Sequence, residues 1–328
     1  MLYLSLLFFI TLFTSTSMTA ATGDIYVIPG GDSIGLYLET GVYITGKYEV
    51  QTKSGDVAPW NKSDIKVGDK ILEINNQNVN KIEEIQEIMT GLNAERDLVL
   101  KIKRKNEILI TPCRIVRTVH DRWSLGLYVK DHVLGVGTIT YIVPETRSFG
   151  ALGHSMVNEE LTKNQLGYIS ASSISGIKKS LPGLPGEKQA TLSRNPLGYI
   201  HKNTELGVYG KINALSDFSS ITKIKVANPS NVNTGRAEIW TVLSNNQKER
   251  FAVEIVEVKK QTRGGIKGIK IKITDQRLLE KTGGIIQGMS GSPIIQNNQL
   301  VGAVSHVIID SPEYGYGVFA MWMMENNL

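Results

Sequence analysis

The run Gly288-Met-Ser-Gly-Ser-Pro-Ile294 sets Ser290 between glycines, just ahead of a proline and a short apolar stretch. A serine attacks a carbonyl when a base takes its proton, another group orients that base, and N–H donors meet the developing oxyanion. The donors can come from this run itself. Glycines at 288 and 291 allow a tight turn in which the N–H groups of Gly288 and Ser290 converge on one point. The same residue types suit an ordinary hairpin loop, so the run alone leaves a reacting serine and a plain turn both open. A candidate base lies earlier, His154 in Phe149-Gly-Ala-Leu-Gly-His-Ser-Met156, a small-residue turn after a strand-like run. His120, His132, His201 and His306 read as surface or strand histidines. The single cysteine, Cys113, excludes an internal disulfide and reads as a core thiol, and the scattered histidines offer no zinc-ligand spacing. No metal and no cofactor is expected.

Rigid elements must hold such groups, and the chain has the means to build them. Its 328 residues, 41 % hydrophobic and 20 % charged, suffice for two domains with separate cores. The formal charge of +5 is thinly spread. Its densest basic run, Lys101-Ile-Lys-Arg-Lys105, has no interleaved aromatics, so it reads as a solvated strand edge and not as a nucleic-acid platform. The first 23 residues carry no charged side chain and Leu2 to Phe13 is nearly all apolar, which reads as an export segment, either cleaved near Ala20 and Ala21 or kept as an anchor. After Thr118 the sequence turns to many short Val, Ile, Thr and Gly runs broken by turns such as Leu181-Pro-Gly-Leu-Pro-Gly186, the signature of a β-barrel or sandwich. With a histidine early in this block and a serine late, the chain order is that of chymotrypsin-like double barrels.

The block from Asp24 to Thr118 alternates charged strands with one helix. Ser63-Asp-Ile-Lys-Val-Gly-Asp-Lys-Ile-Leu-Glu-Ile74 places a Gly-Asp turn before an alternating strand, and 81–92 sets Ile82, Ile85, Met89 and Leu92 on one helical stripe. These residues resemble a PDZ domain, with the Gly30 to Leu38 stretch as carboxylate-binding loop and groove strand. On that resemblance, N–H groups around Ile34, Gly35 and Leu36 would grip a peptide terminus or a segment of the chain itself.

Together, Phe149 to Met156, the stretch from Ile273 through Ile294, and Gln299 to Phe319 resemble the stage IV sporulation protein B family of serine peptidases. The resemblance covers nearly the whole chain. It implies a mainly β fold, with an export segment or anchor at 1–23, a PDZ-like α+β domain at 24–118 and a trypsin-like double barrel at 119–328. It also implies a serine endopeptidase exported across the forespore membrane, which cleaves itself and a regulatory protein in a membrane-bound complex and thereby switches on sigma-factor maturation. Residue by residue, the family histidine falls on His154, the nucleophile on Ser290 and the proposed aspartate on Asp275. Ser305 matches a hydroxyl position that would hold that aspartate. Met289 stands where trypsin-like enzymes carry an acid, so an ion pair with a new N-terminus is not the activation switch.

Two points stay open. Trypsin-like chains take their aspartate from the first barrel, where Glu205 and Asp217 are the acids to weigh, and Asp275 also fits an N-cap for the helix Gln276 to Thr282. The rival function is an exported PDZ adaptor whose barrel has lost its activity.

Overall fold

The computed structural model describes residues 24–157, 161–213, 218 and 220–327. The apolar segment 1–23 lies outside them, and among the described residues no helix is long and apolar enough to cross a membrane.

Strand alternation governs the architecture. In Ile269-Lys-Ile-Lys-Ile273 every isoleucine is buried and both lysines lie partly in solvent. One ring of strands runs from Ser33–Lys47 to Leu127–Val143, Ser148–Ala151, Gly207–Ile212, Glu187–Thr204 and Leu161–Lys178, which pairs back onto Ser33–Lys47. A second ring runs from Gly235–Val242 to Lys248–Val258, Ile269–Ile273, Tyr314–Phe319, Gln299–Val307 and Pro293–Gln296, and closes on Gly235–Val242. Numbered along the chain, both rings read first, second, third, sixth, fifth, fourth. The fold is therefore mainly β, with the double barrel expected from the sequence, and among the described residues each ring of strands closes on itself.

The strand Tyr26–Pro29 stitches the barrels together. It pairs with Leu127–Val143 and with Ile224–Val226, and the latter runs parallel to Gln299–Val307. A terminal helix, Ala320–Asn327, covers the seam and buries Ala320, Met323 and Met324 in one cluster with Tyr141 and Tyr209.

The α+β unit is inserted between the first and second strands of the first barrel. The chain leaves the barrel along Ser33–Lys47 and returns along Leu127–Val143, and these strands stay paired from Thr138 opposite Ser33 out to Leu127 opposite Lys47. Between them, Lys70–Ile74, Arg96–Arg104, Glu107–Arg117 and the helix Ile82–Thr90 enclose a separate core that includes Val42, Ile71, Ile85, Leu100 and Cys113. The helix starts where Glu84 accepts hydrogen bonds from the N–H groups of Asn80 and Lys81 at 2.6 and 3.1 Å. Burial pushes the Cys113 thiol up to about 12. From the basic run, Arg104 donates to Asp69 at 2.8 Å and fixes the Gly68-Asp69 turn.

The insertion corrects the boundary drawn from the sequence, because residues 26–38 belong to the barrels and not to the PDZ-like unit. It also corrects the groove assigned to Ile34, Gly35 and Leu36. Strands flank these residues on both sides, so their backbone groups are committed, and Ile34 and Leu36 are each only 1 % exposed in the first barrel's core. A Cβ on Gly35 would come within 2.8 Å of Leu192.

Leu36→Ala should therefore lower the unfolding free energy by about 2–5 kcal/mol, as other core truncations do. Chemical denaturation checks this, since truncation of an exposed groove residue would leave the midpoint nearly unchanged.

Candidate active site

Both barrels contribute to one cleft of about 560 Å³, whose walls include His154, Gly288, Ser290, Ser305 and His306. His154 stands in the turn after Ser148–Ala151, third strand of the first barrel, and Ser290 stands just before Pro293–Gln296 of the second. The first barrel holds the serine loop directly. Thr138 and Thr140 donate their hydroxyls to the carbonyls of Gly288 and Gly291, each at 2.8 Å, and the N–H of Thr138 donates to the Ser290 carbonyl at 2.9 Å.

The loop needs its glycines. Gly288 and Gly291 have φ of 92° and 91°, in the left-handed region. A Cβ on Gly291 would sit 2.0 Å from the Thr138 carbonyl. Gly291 donates to Val304 at 2.7 Å and Ser292 to Met289 at 2.9 Å, whereas the N–H groups of Gly288 and Ser290 donate to no partner among the described residues. Two unspent donors flank a wholly buried Met289 side chain, the arrangement an oxyanion requires. The Ser290 hydroxyl donates to the Ser305 carbonyl at 3.4 Å, a long bond that leaves it easy to redirect.

His154 is oriented by backbone. Its Nδ1 lies 2.7 Å from the carbonyl of Ser155, which has no proton to give, so Nδ1 carries the proton and Nε2 keeps the basic lone pair. Burial lowers the His154 pKa, and the Ser155 hydrogen bond opposes this only in part. His306 packs against it with ring centroids 5.2 Å apart, and burial, then His154 and then Lys267, pull His306 down to about 4. Both rings are neutral at neutral pH.

The structure does not bring Asp275 to His154. Asp275 caps Gln276–Thr282, accepting from the N–H of Arg277 at 3.0 Å, and its carboxylate meets the Arg277 guanidinium at 2.8 Å. That guanidinium outweighs burial and lowers the Asp275 pKa. The single proton of the Ser305 hydroxyl is shared between the carbonyls of Ile266 and Tyr316, at 2.6 and 3.1 Å, and does not go to an aspartate. Glu205 is exposed in the turn between Glu187–Thr204 and Gly207–Ile212, and Asp217 lies outside the described residues. His306 lies on the strand Gln299–Val307, as a strand histidine should, but the sequence reading does not place it in the cleft. Its place directly after Ser305, on the strand following the serine loop, was the available signal.

A second site lies on the inserted unit. Among the described residues, 127–130 of Leu127–Val143 pair with Lys47 to Tyr43 alone, so their other edge is open toward Ile82–Thr90. Asp131 accepts from the N–H of Ile82 at 3.0 Å, and Trp123 donates to the Leu92 carbonyl at 2.9 Å, fixing strand and helix at both ends. An open edge beside a helix is where an extended peptide can add as a strand. The chain carries two similar signatures, Ser33-Ile-Gly-Leu-Tyr-Leu38 and Ser124-Leu-Gly-Leu-Tyr-Val129, and the second forms this edge.

Comparison with known families gives two matches, SpoIVB peptidase S55 over residues 121–324 and a PDZ domain over residues 40–111. No curated protein matches the chain.

A base that must be neutral and whose pKa is lowered keeps working as the solution is acidified. The acid limb of any His154-dependent activity should thus fall below pH 6.5, the ordinary histidine value. A pH–rate profile of kcat/KM checks this, and a limb above that value would contradict the burial argument.

Proposed function

The chain belongs to the SpoIVB peptidase S55 family, serine peptidases of sporulation, and on that footing we propose that Ser290 is its nucleophile and His154 its general base. The observation that carries this reading is the unspent pair of N–H groups at Gly288 and Ser290, in a cleft shared with a neutral histidine. Nε2 of His154 takes the hydroxyl proton as Oγ of Ser290 attacks the scissile carbonyl. The two N–H groups receive the oxyanion. His154 then returns the proton to the leaving amine, and the acyl-enzyme is hydrolysed by water along the same path.

The Ser155 carbonyl takes the orienting part that a carboxylate plays in trypsin-like enzymes. It fixes the tautomer but brings no full negative charge to the imidazolium. We place the peptide groove of the PDZ domain at the open edge of residues 127–130, where a substrate tail or a segment of the chain itself adds as a strand. In the cell, the reading is an exported protein, anchored or released according to the fate of residues 1–23. It cleaves itself and a membrane-associated regulatory protein, and so triggers maturation of a late sigma factor across the forespore membranes.

Two measurements test the assignment. A fluorophosphonate probe should label the wild-type protein at Ser290, and Ser290→Ala should abolish both labelling and peptide cleavage with the melting temperature unchanged. An alanine variant that still cleaves would end the serine mechanism. Asp275→Asn should keep activity within about threefold, because asparagine caps a helix as well as aspartate does and only an exposed partner is lost. A loss near 10⁴-fold, the order seen when a triad aspartate becomes an amide, would return Asp275 to the mechanism.

A further inference from the structure

Lys188 is 5 % exposed, and no carboxylate lies within ion-pairing distance of it among the described residues. Its ammonium donates to the wholly buried Thr241 hydroxyl at 2.9 Å. An interior lysine without a counter-ion is costly, since burial penalises the charged form. Solvation does not account for such a residue, because almost none of it reaches water. Its position is specific: it lines the cleft that holds Ser290 and His154, and its stem runs beneath the serine loop. A Cβ on Gly288 would meet Cδ, Cβ and Cγ of Lys188 at 2.9, 3.1 and 3.1 Å. The backbone is joined there too, because the Lys188 N–H donates to the Gln287 carbonyl at 3.0 Å and the Gln287 N–H donates to Gly186 at 2.9 Å.

We propose that Lys188 is a positioning residue for acyl transfer, its stem fixing the Gly288 peptide so that the N–H faces the cleft, and its ammonium supplying a buried positive charge behind the developing oxyanion. This rests on the reading of Ser290 as nucleophile. The amine neither gives nor takes a proton during the step. Its charge is felt because the group is buried and no carboxylate among the described residues pairs with it.

The titratable groups around it support this. Glu187, next on its strand, faces Lys178 at 4.0 Å. Glu238, on the strand of Thr241, accepts from the Trp240 indole at 2.8 Å, and Glu249 stands across the strand pair from Thr241. His154 and His306 share the cleft, and burial lowers the pKa of each. Burial also brings Lys188 down to about 7, so the charged form is present below that value and is lost as pH rises through it. His154 sets the acid limb of the reaction and Lys188 an alkaline limb close to neutrality.

The rate of fluorophosphonate labelling at Ser290 needs no knowledge of the natural substrate and builds negative charge at the same donors. Measured against pH, the wild-type rate constant kinact should be bell-shaped. Lys188→Met, which keeps the unbranched stem, should lower kinact by about 10- to 100-fold, less than loss of an oxyanion donor, leave KI within about twofold and remove the alkaline limb. Thr241→Val keeps the lysine but strips the acceptor of its ammonium, so the alkaline limb should move to lower pH. This second variant decides the matter if the methionine variant fails to fold. An alkaline limb unchanged in either folded variant overturns the role of Lys188. Absence of labelling in the wild-type protein overturns the nucleophile assignment itself, and with it this inference.

Discussion

Three hydrogen bonds from one strand hold the nucleophile loop in place. Thr138 and Thr140 belong to the first barrel, and the carbonyls of Gly288, Ser290 and Gly291 that they bind belong to the second. Each such bond contributes about 1 kcal/mol net, but losing one leaves a buried carbonyl unpaired at a cost of about 1–3 kcal/mol. The larger effect is on geometry. Two barrels that slid past each other by a single residue would break all three bonds at once, so the seam has one register and the cleft one shape. The same strand pairs with Ser148–Ala151, whose end carries the His154 turn, so base and nucleophile are referred to a common rail.

The electrostatics of the cleft follow from that enclosure. Two histidines and a lysine all sit where charge is penalised, and each pKa is lowered for that first reason. The histidines are thereby kept as neutral bases, while the lysine is poised between its two forms. An orienting backbone carbonyl suits this setting, because Ser155 fixes the imidazole without adding a buried anion that would itself need partners.

Much of this could be read from local sequence, and the exceptions have physical causes. Period-2 alternation holds in the Ile269–Ile273 strand and period 3.6 in the helix Ile82–Thr90, whereas Lys70–Ile74 is a strand but buries Ile71 and Ile74, because its pairing with Arg96–Arg104 shifts register between Ile71 and Glu73. Glycines around Ser290 marked the loop, because a positive φ at 288 and 291 is a local requirement. What failed depended on distant pairing. Ser33 to Leu38 and Ser124 to Val129 are near-copies in pattern, and only the pairing of the first with residues 133–138 and 167–171 makes it a barrel strand. Asp275 at a strand end looked free to reach inward, yet Arg277 two residues on captures it. The terminal helix Ala320–Asn327 left little amphipathic trace, because the barrel seam buries Ala320, Met323 and Met324.

The inserted unit also fixes when the first barrel can form. Ser33 to Leu38 cannot complete the ring until residues 133–138 have left the ribosome, so the first strand of the ring waits through the whole insertion for its neighbour. Long-range pairing of this kind is slow, because loop entropy must be lost before any contact rewards it. Here the loop has a core of its own, and the unit built around it holds Lys47 and Leu127 face to face. The ribbon between those residues then needs only to zip toward Ser33 and Thr138. In chain order the residues of the inserted unit are complete first, those of the histidine barrel next and those of the serine barrel last, so the strand that holds the nucleophile loop precedes that loop by about 150 residues.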